Sequence, residues 1–147
     1  MLPLPVYYAL LALCLIYALR SGGPPERIGA AILAVGSVIS MALVLGRADH
    51  HRSVEIGVLL IDVACFAAFT ILALRADRFW PLWVSALAGL GVLGHAGRLS
   101  LGPDIGRGAY IISLVLWSYP ILVVIAIGTF NHHRRNARGG ATPAAPG

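Results

Sequence analysis

An aspartate inside an apolar run is the residue best placed to do chemistry in this sequence. Asp62 lies in GVLLIDVACFAAF, residues 57–69, where all other positions are apolar or glycine. His95 and Arg98 close a second apolar run, SALAGLGVLGHAGRL at 85–99, and Glu55 precedes Asp62 by seven residues. Ionisable groups in such surroundings mark proton or solute paths, or they pair to hide charge. Helical spacing puts Glu55 and Asp62 on one face, and His95 and Arg98 on one face of a second helix. Besides simple exposure of these residues to headgroup water, two readings follow. In one, Asp62 with His95 and Glu55 with Arg98 hold two helices in register. In the other, Asp62 and His95 exchange protons or touch a small solute in a hydrated half-channel.

Other candidates are weaker. DHHR at 49–52 and NHHRR at 131–135 bring histidines together. Adjacent histidines chelate one ion poorly, however, and no HExxH or H-x3-H spacing supports them, so no metal is expected. Cys14 and Cys65 sit in apolar runs without CxxC spacing and read as small buried hydrophobes. Pro120, in LWSYPILVV, falls within an apolar block and is expected to kink a helix there. The chain carries no P-loop, no GxSxG and no paired histidines for haem, so no catalytic residue and no cofactor are assigned.

The elements that must position these residues follow from composition. Of 147 residues 59% are hydrophobic and 12% charged, about half the charge of an average soluble domain, roughly 25%. The apolar residues come in five blocks, 4–19, 28–45, 54–74, 79–101 and 109–130. Each is close to the ~20 residues a helix needs to cross ~30 Å of hydrocarbon. Backbone groups in lipid must be satisfied within the segment. The expected fold is therefore all-α, an integral membrane helical bundle of five transmembrane helices. Four would remain if the glycine-rich fourth segment is re-entrant. Residues 131–147, with RRNARGGATPAAPG, are expected to form a basic, disordered tail.

Boundary chemistry agrees. SGGPPER at 21–27 and SLGPDIGRG at 100–108 are turns, the first with Pro25 to open a helix and Glu26 at its positive end. RADRFWPLW at 75–83 is a third, with Trp80 and Trp83 suited to an interfacial aromatic belt. Small-xxx-small pairs, Gly36 with Ser40 and Ser85 with Gly89, fit close helix packing, within one chain or between copies. All eleven basic side chains are arginine. Five crossings would put Arg20, Arg27, Arg75, Arg78, Arg134, Arg135 and Arg138 on one side and four arginines on the other. The richer side is then cytoplasmic, and the N-terminus periplasmic. Arg134, Arg135 and Arg138 would anchor the tail to an anionic leaflet. The scattered arginines form no patch for a nucleic acid.

The stretches GGPPERIGAAIL, DRFWPLW and WSYPILVVIAIGT resemble small multi-spanning bacterial inner-membrane proteins that have no established activity. The resemblance runs from residue 22 to about 135 and implies bacterial origin and inner-membrane placement, without any catalytic residue. The expected partners are the lipid bilayer and either another membrane protein or a second copy of the chain. A non-catalytic accessory or scaffold subunit is the leading functional expectation. A small proton-linked transporter using Asp62, His95 and Arg98 is the first alternative, and a holin-like pore former the second.

Overall fold

The break at SGGPP is made by backbone geometry. Helix α1, Leu4–Ser21, ends as Gly22 N–H bonds the Ala18 carbonyl at 2.9 Å. Arg27 N–H then bonds the Gly23 carbonyl at 3.1 Å, which makes Gly23 the cap of the next helix. Pro24 follows at the first helical position, where its missing N–H costs nothing. Helix α2 is Pro24–Gly46, so it starts four residues before the apolar block and takes in Glu26. Helix α3 runs His51–Arg75, and a short turn over residues 76–79 leads into α4, Trp80–Leu101. Helix α5 is Ser118–Gly139. The computed structural model describes residues 4–46, 51–101 and 117–139, and no strand occurs among them.

The five helices close a ring. Each packs on its neighbour in chain order, α1 also packs on α5, and α2 touches α5 across the middle. The core is apolar, with Tyr7, Leu11, Leu33, Phe69, Leu72, Val84 and Ile125 buried. Yet the outside is apolar too. Leu13, Val38, Leu45, Leu60, Leu74, Trp83 and Leu93 all point outward. Helices α1, α2 and α3 are long and apolar enough to cross a membrane, and only 17–22% of their apolar stretches is buried.

The α3–α4 hairpin has a definite register. Thr70 and Ser85 share a 2.8 Å hydrogen bond. One turn further from the loop, a Cβ on Gly89 would stand 3.1 Å from the Phe66 ring. Asp62, Phe66 and Thr70 are four apart and so line one face of α3. Gly36 of α2 meets Cys65 of α3 more closely still, at 2.6 Å from an added Cβ to Sγ. Gly36, Ser85 and Gly89, singled out in the sequence, thus face helices of the same chain.

Several boundaries differ from the sequence expectations. Helix α4 is unbroken over 22 residues, so its glycines do not fold it back as a re-entrant loop. Helix α5 continues to Gly139, past residue 130, where a disordered tail was expected. The stretch Asn131–Arg138 contains neither proline nor glycine. It gains internal support from Arg134 over the Phe130 ring at 5.6 Å and from Asn136 beside His132 at 3.2 Å, both one turn apart. Pro120 lies in the first turn of α5 rather than at mid-helix. First-turn N–H groups have no helical partner, so the ring displaces no bond within α5. Residues 47–50, which include the start of DHHR, the 100–108 turn beyond Leu101, residues 109–116 of the last block and residues 140–147 lie outside the described residues.

Trp80 is the largest departure. Its neighbours Phe79 and Trp83 are exposed, at 83% and 65%, as interfacial aromatics would be. Trp80 itself is only 9% exposed. Its indole is held between two glycines: a Cβ on Gly29 of α2 would lie 2.7 Å from Cη2, and one on Gly128 of α5 would lie 2.9 Å from Cδ1. Real Cβ contacts are not this short, so both positions must lack one for the ring to enter. Gly29→Leu is therefore expected to destabilise the fold by about 1–3 kcal/mol through overpacking. Gly46→Ala, with no atom within 4 Å of the added carbon, should leave stability within about 0.5 kcal/mol. Thermal unfolding followed by tryptophan fluorescence checks both.

Candidate functional site

Asp62 and His95 meet. Both lie far from the turn that joins their helices, 13 residues before Arg75 and 15 after Trp80, or roughly 20 and 22 Å at 1.5 Å per residue. The hairpin register therefore brings them level. Asp62 Oδ2 stands 3.0 Å from His95 Nε2. The imidazole side is enclosed, with 8% of the side chain exposed, whereas Asp62 keeps 32%. The pair thus sits at the outer rim of the α3–α4 seam, near the midpoint of α3. An Nε2–H can donate to the carboxylate in either charge state of the ring. Glu55 is the fifth residue of α3, and Arg98 lies in the last turn of α4. The expected contact between their side chains lies outside the described residues.

A second polar centre occupies the other end of the hairpin. Glu26 is completely buried. As the third residue of α2 it reaches back to the cap, and Gly23 N–H donates to Oε2 at 3.0 Å. This is the carboxylate half of a capping box. The other oxygen, Oε1, accepts the Trp80 indole N–H at 3.1 Å. Each oxygen thus has a donor, and the positive end of α2 adds favourable field. A buried carboxylate costs little only under such conditions. One side chain thereby ties the α1–α2 turn to α4, while the ring it holds wedges α2 from α5.

His132 of α5 closes this end. A Cβ on Gly23 would meet its Cε1 at 2.8 Å, so the imidazole lies directly on the α1–α2 turn. Arg78 Nη2 is 3.2 Å from His132 Nδ1. Guanidinium only donates, so Nδ1 accepts and the neutral ring carries its proton on Nε2. Asn136 Nδ2 stands 3.2 Å from Nε2. An Nε2–H needs an acceptor there, which the amide supplies when turned over. Beside these groups a cavity of about 680 Å³ opens between the α3–α4 turn and α5, lined in part by Arg78, Arg134, Arg135 and Arg138.

No family model matches the chain, and no curated protein or solved structure is similar to it. The site must be read from its own geometry.

That geometry brings together Asp62 and His95, sets Arg134, Arg135 and Arg138 in the open on α5, and moves Trp80 from the expected interface into the core. Trp83 stays exposed. His132 is engaged by Arg78, and among the described residues no three His, Cys, Asp or Glu side chains cluster. Glu26, Trp80 and His132 form a centre that the sequence reading did not assemble. Its local signal was GGPPE, a glycine cap with glutamate at the third helical position; the 54-residue separation of Glu26 from Trp80 had none.

Glu26→Ala strips the acceptor from two buried donors, and each is expected to cost about 1–3 kcal/mol. Glu26→Gln keeps one carbonyl acceptor and should fall between alanine and the wild type. Thermal unfolding ranks the three. Equal unfolding temperatures for wild type and Glu26→Ala would show that the carboxylate does not hold this end together.

Proposed function

We propose that the protein is a non-catalytic multi-pass protein of the bacterial inner membrane, acting as an accessory or scaffold subunit. Five crossings, with the N-terminus periplasmic and the C-terminus cytoplasmic, complete the reading. The observation that carries it is how the polar side chains are used. Asp62 goes to His95, Glu26 to Trp80 and Gly23, Thr70 to Ser85, and Tyr7 to Ser37 at 2.8 Å. Each links one helix to another, and they are spread along the bundle rather than gathered around one chamber. Such an arrangement supports a role in fixing a shape over one in moving or converting a substrate.

The orientation is supported by charge. The α1–α2 turn, the α3–α4 turn and the polar half of α5 lie at one end, as the contacts of His132 with Gly23 and Arg78 require. Seven arginines belong to these segments or flank them: Arg20, Arg27, Arg75, Arg78, Arg134, Arg135 and Arg138. An arginine-rich end is the one retained in the cytoplasm.

Asp62 also supports the accessory role. A carboxylate near the midpoint of an apolar helix, still 32% exposed, is costly against hydrocarbon. Its exposed edge is covered economically when a helix of another protein lies along the α3–α4 seam. The same exposure favours one other reading, a proton-linked transporter in which Asp62 and His95 pass the proton.

Purification of the full-length chain from membranes in mild detergent separates them. The accessory reading expects a second integral membrane protein at fixed stoichiometry, with Asp62→Asn loosening the complex. A chain that purifies alone, moves protons in liposomes and loses that activity in Asp62→Asn would overturn it in favour of transport.

A further inference from the structure

The cavity at the arginine end has two chemically different walls. Arg78 of the α3–α4 turn and Arg134, Arg135 and Arg138 of α5 supply four guanidinium groups, with Asp77 the one opposing charge. Ala73, Phe79 and Leu82 supply an apolar wall, and Phe79 and Leu82 are exposed on it. Among the described residues none of the four arginines forms an ion pair. Arg78 Nη1 is buried and makes no hydrogen bond among the described residues, while Nη2 is held by His132. Guanidinium forks of this kind match phosphate oxygens. A volume of about 680 Å³ lies within the range of small-molecule sites, roughly 300–1,000 Å³.

We propose that this groove binds one anionic phospholipid, with its phosphate on Arg78, Arg135 and Arg138 and an acyl chain along Phe79 and Leu82. The inference rests on the membrane reading above, which sets the polar half of α5 at headgroup level. The extension of α5 beyond Phe130 is what makes the site. Because the helix continues to Gly139, its arginines stand over the α3–α4 turn instead of trailing away from it. Arg134 is partly engaged by the Phe130 ring at 5.6 Å, so Arg135 and Arg138 are the separable contributors. The apolar wall selects a lipid over a free anion, and the guanidinium groups select an acidic headgroup over a zwitterionic one.

The test uses the full-length protein in detergent after lipid is stripped away. Bound lipid is counted by native mass spectrometry and its effect read from the unfolding temperature. Phosphatidylglycerol should bind one per chain and raise the unfolding temperature, while phosphatidylcholine and inorganic phosphate do neither. Arg135→Ala/Arg138→Ala removes two exposed charges without touching the core. It should weaken phosphatidylglycerol binding about thirtyfold, taking about 1 kcal/mol per arginine. Arg78→Gln should weaken it in the same direction. Equal binding of phosphatidylcholine, wild-type affinity in the double variant, or the same stabilisation by inorganic phosphate would each overturn the assignment. A chain that needs detergent yet ignores phosphatidylglycerol sinks this inference alone, whereas one that dissolves without detergent sinks the membrane reading with it.

Discussion

The outward faces of these helices are apolar, and apart from the buried Tyr119 hydroxyl, which has no partner among the described residues, the enclosed polar side chains between the ends are answered inside the bundle. That constraint explains more of the structure than any single contact. Tyr7 reaches Ser37, Thr70 reaches Ser85, Asp62 reaches His95, and Glu26 takes two donors at once. The apolar core contributes area but little directional information, since Leu, Val and Ile cover both the inside and the outside. Direction comes from the pairs. Each fixes the rotation of one helix against another, because a helix turned by 100° would leave a donor or acceptor unpaired on an apolar face.

The two ends of the α3–α4 hairpin solve this problem differently. Near the turn, a rigid indole is set into notches left by Gly29 and Gly128 and secured by the Glu26 carboxylate. Glu26 is fully enclosed there, and the indole is tightly held between the two glycines. Away from the turn, the Asp62–His95 pair sits at the rim of the seam, with the carboxylate partly open. An enclosed, fully bonded group is a structural fixture. The partly open ion pair is the feature on which the proposed accessory role draws.

Much of the architecture was legible in the sequence because it follows from local rules. The apolar blocks, the GGPP break and the short RADRFW connection place α1, α2, α3 and the turn between α3 and α4. Short connection plus helical spacing also put Asp62 within reach of His95, as hairpin geometry requires. Three features were less legible, each for a physical reason. Trp80 looks like its interfacial neighbours Phe79 and Trp83, and the space over Gly29 and Gly128 together with the Glu26 carboxylate draws it inward. Glu26 reads as a favourable helix start, but its second oxygen is claimed by a residue 54 positions away. The polar half of α5 has the composition of a tail, yet one-turn contacts and the absence of helix breakers before Gly139 carry the helix onward.

The account stands on the claim that hydrocarbon surrounds the exposed leucines, valines and tryptophan of this bundle. Washing cell membranes that contain the full-length chain with alkaline carbonate tests it most directly. The protein should stay in the membrane pellet and come into solution only with detergent. Its release into the carbonate supernatant as a dispersed monomer would contradict the account.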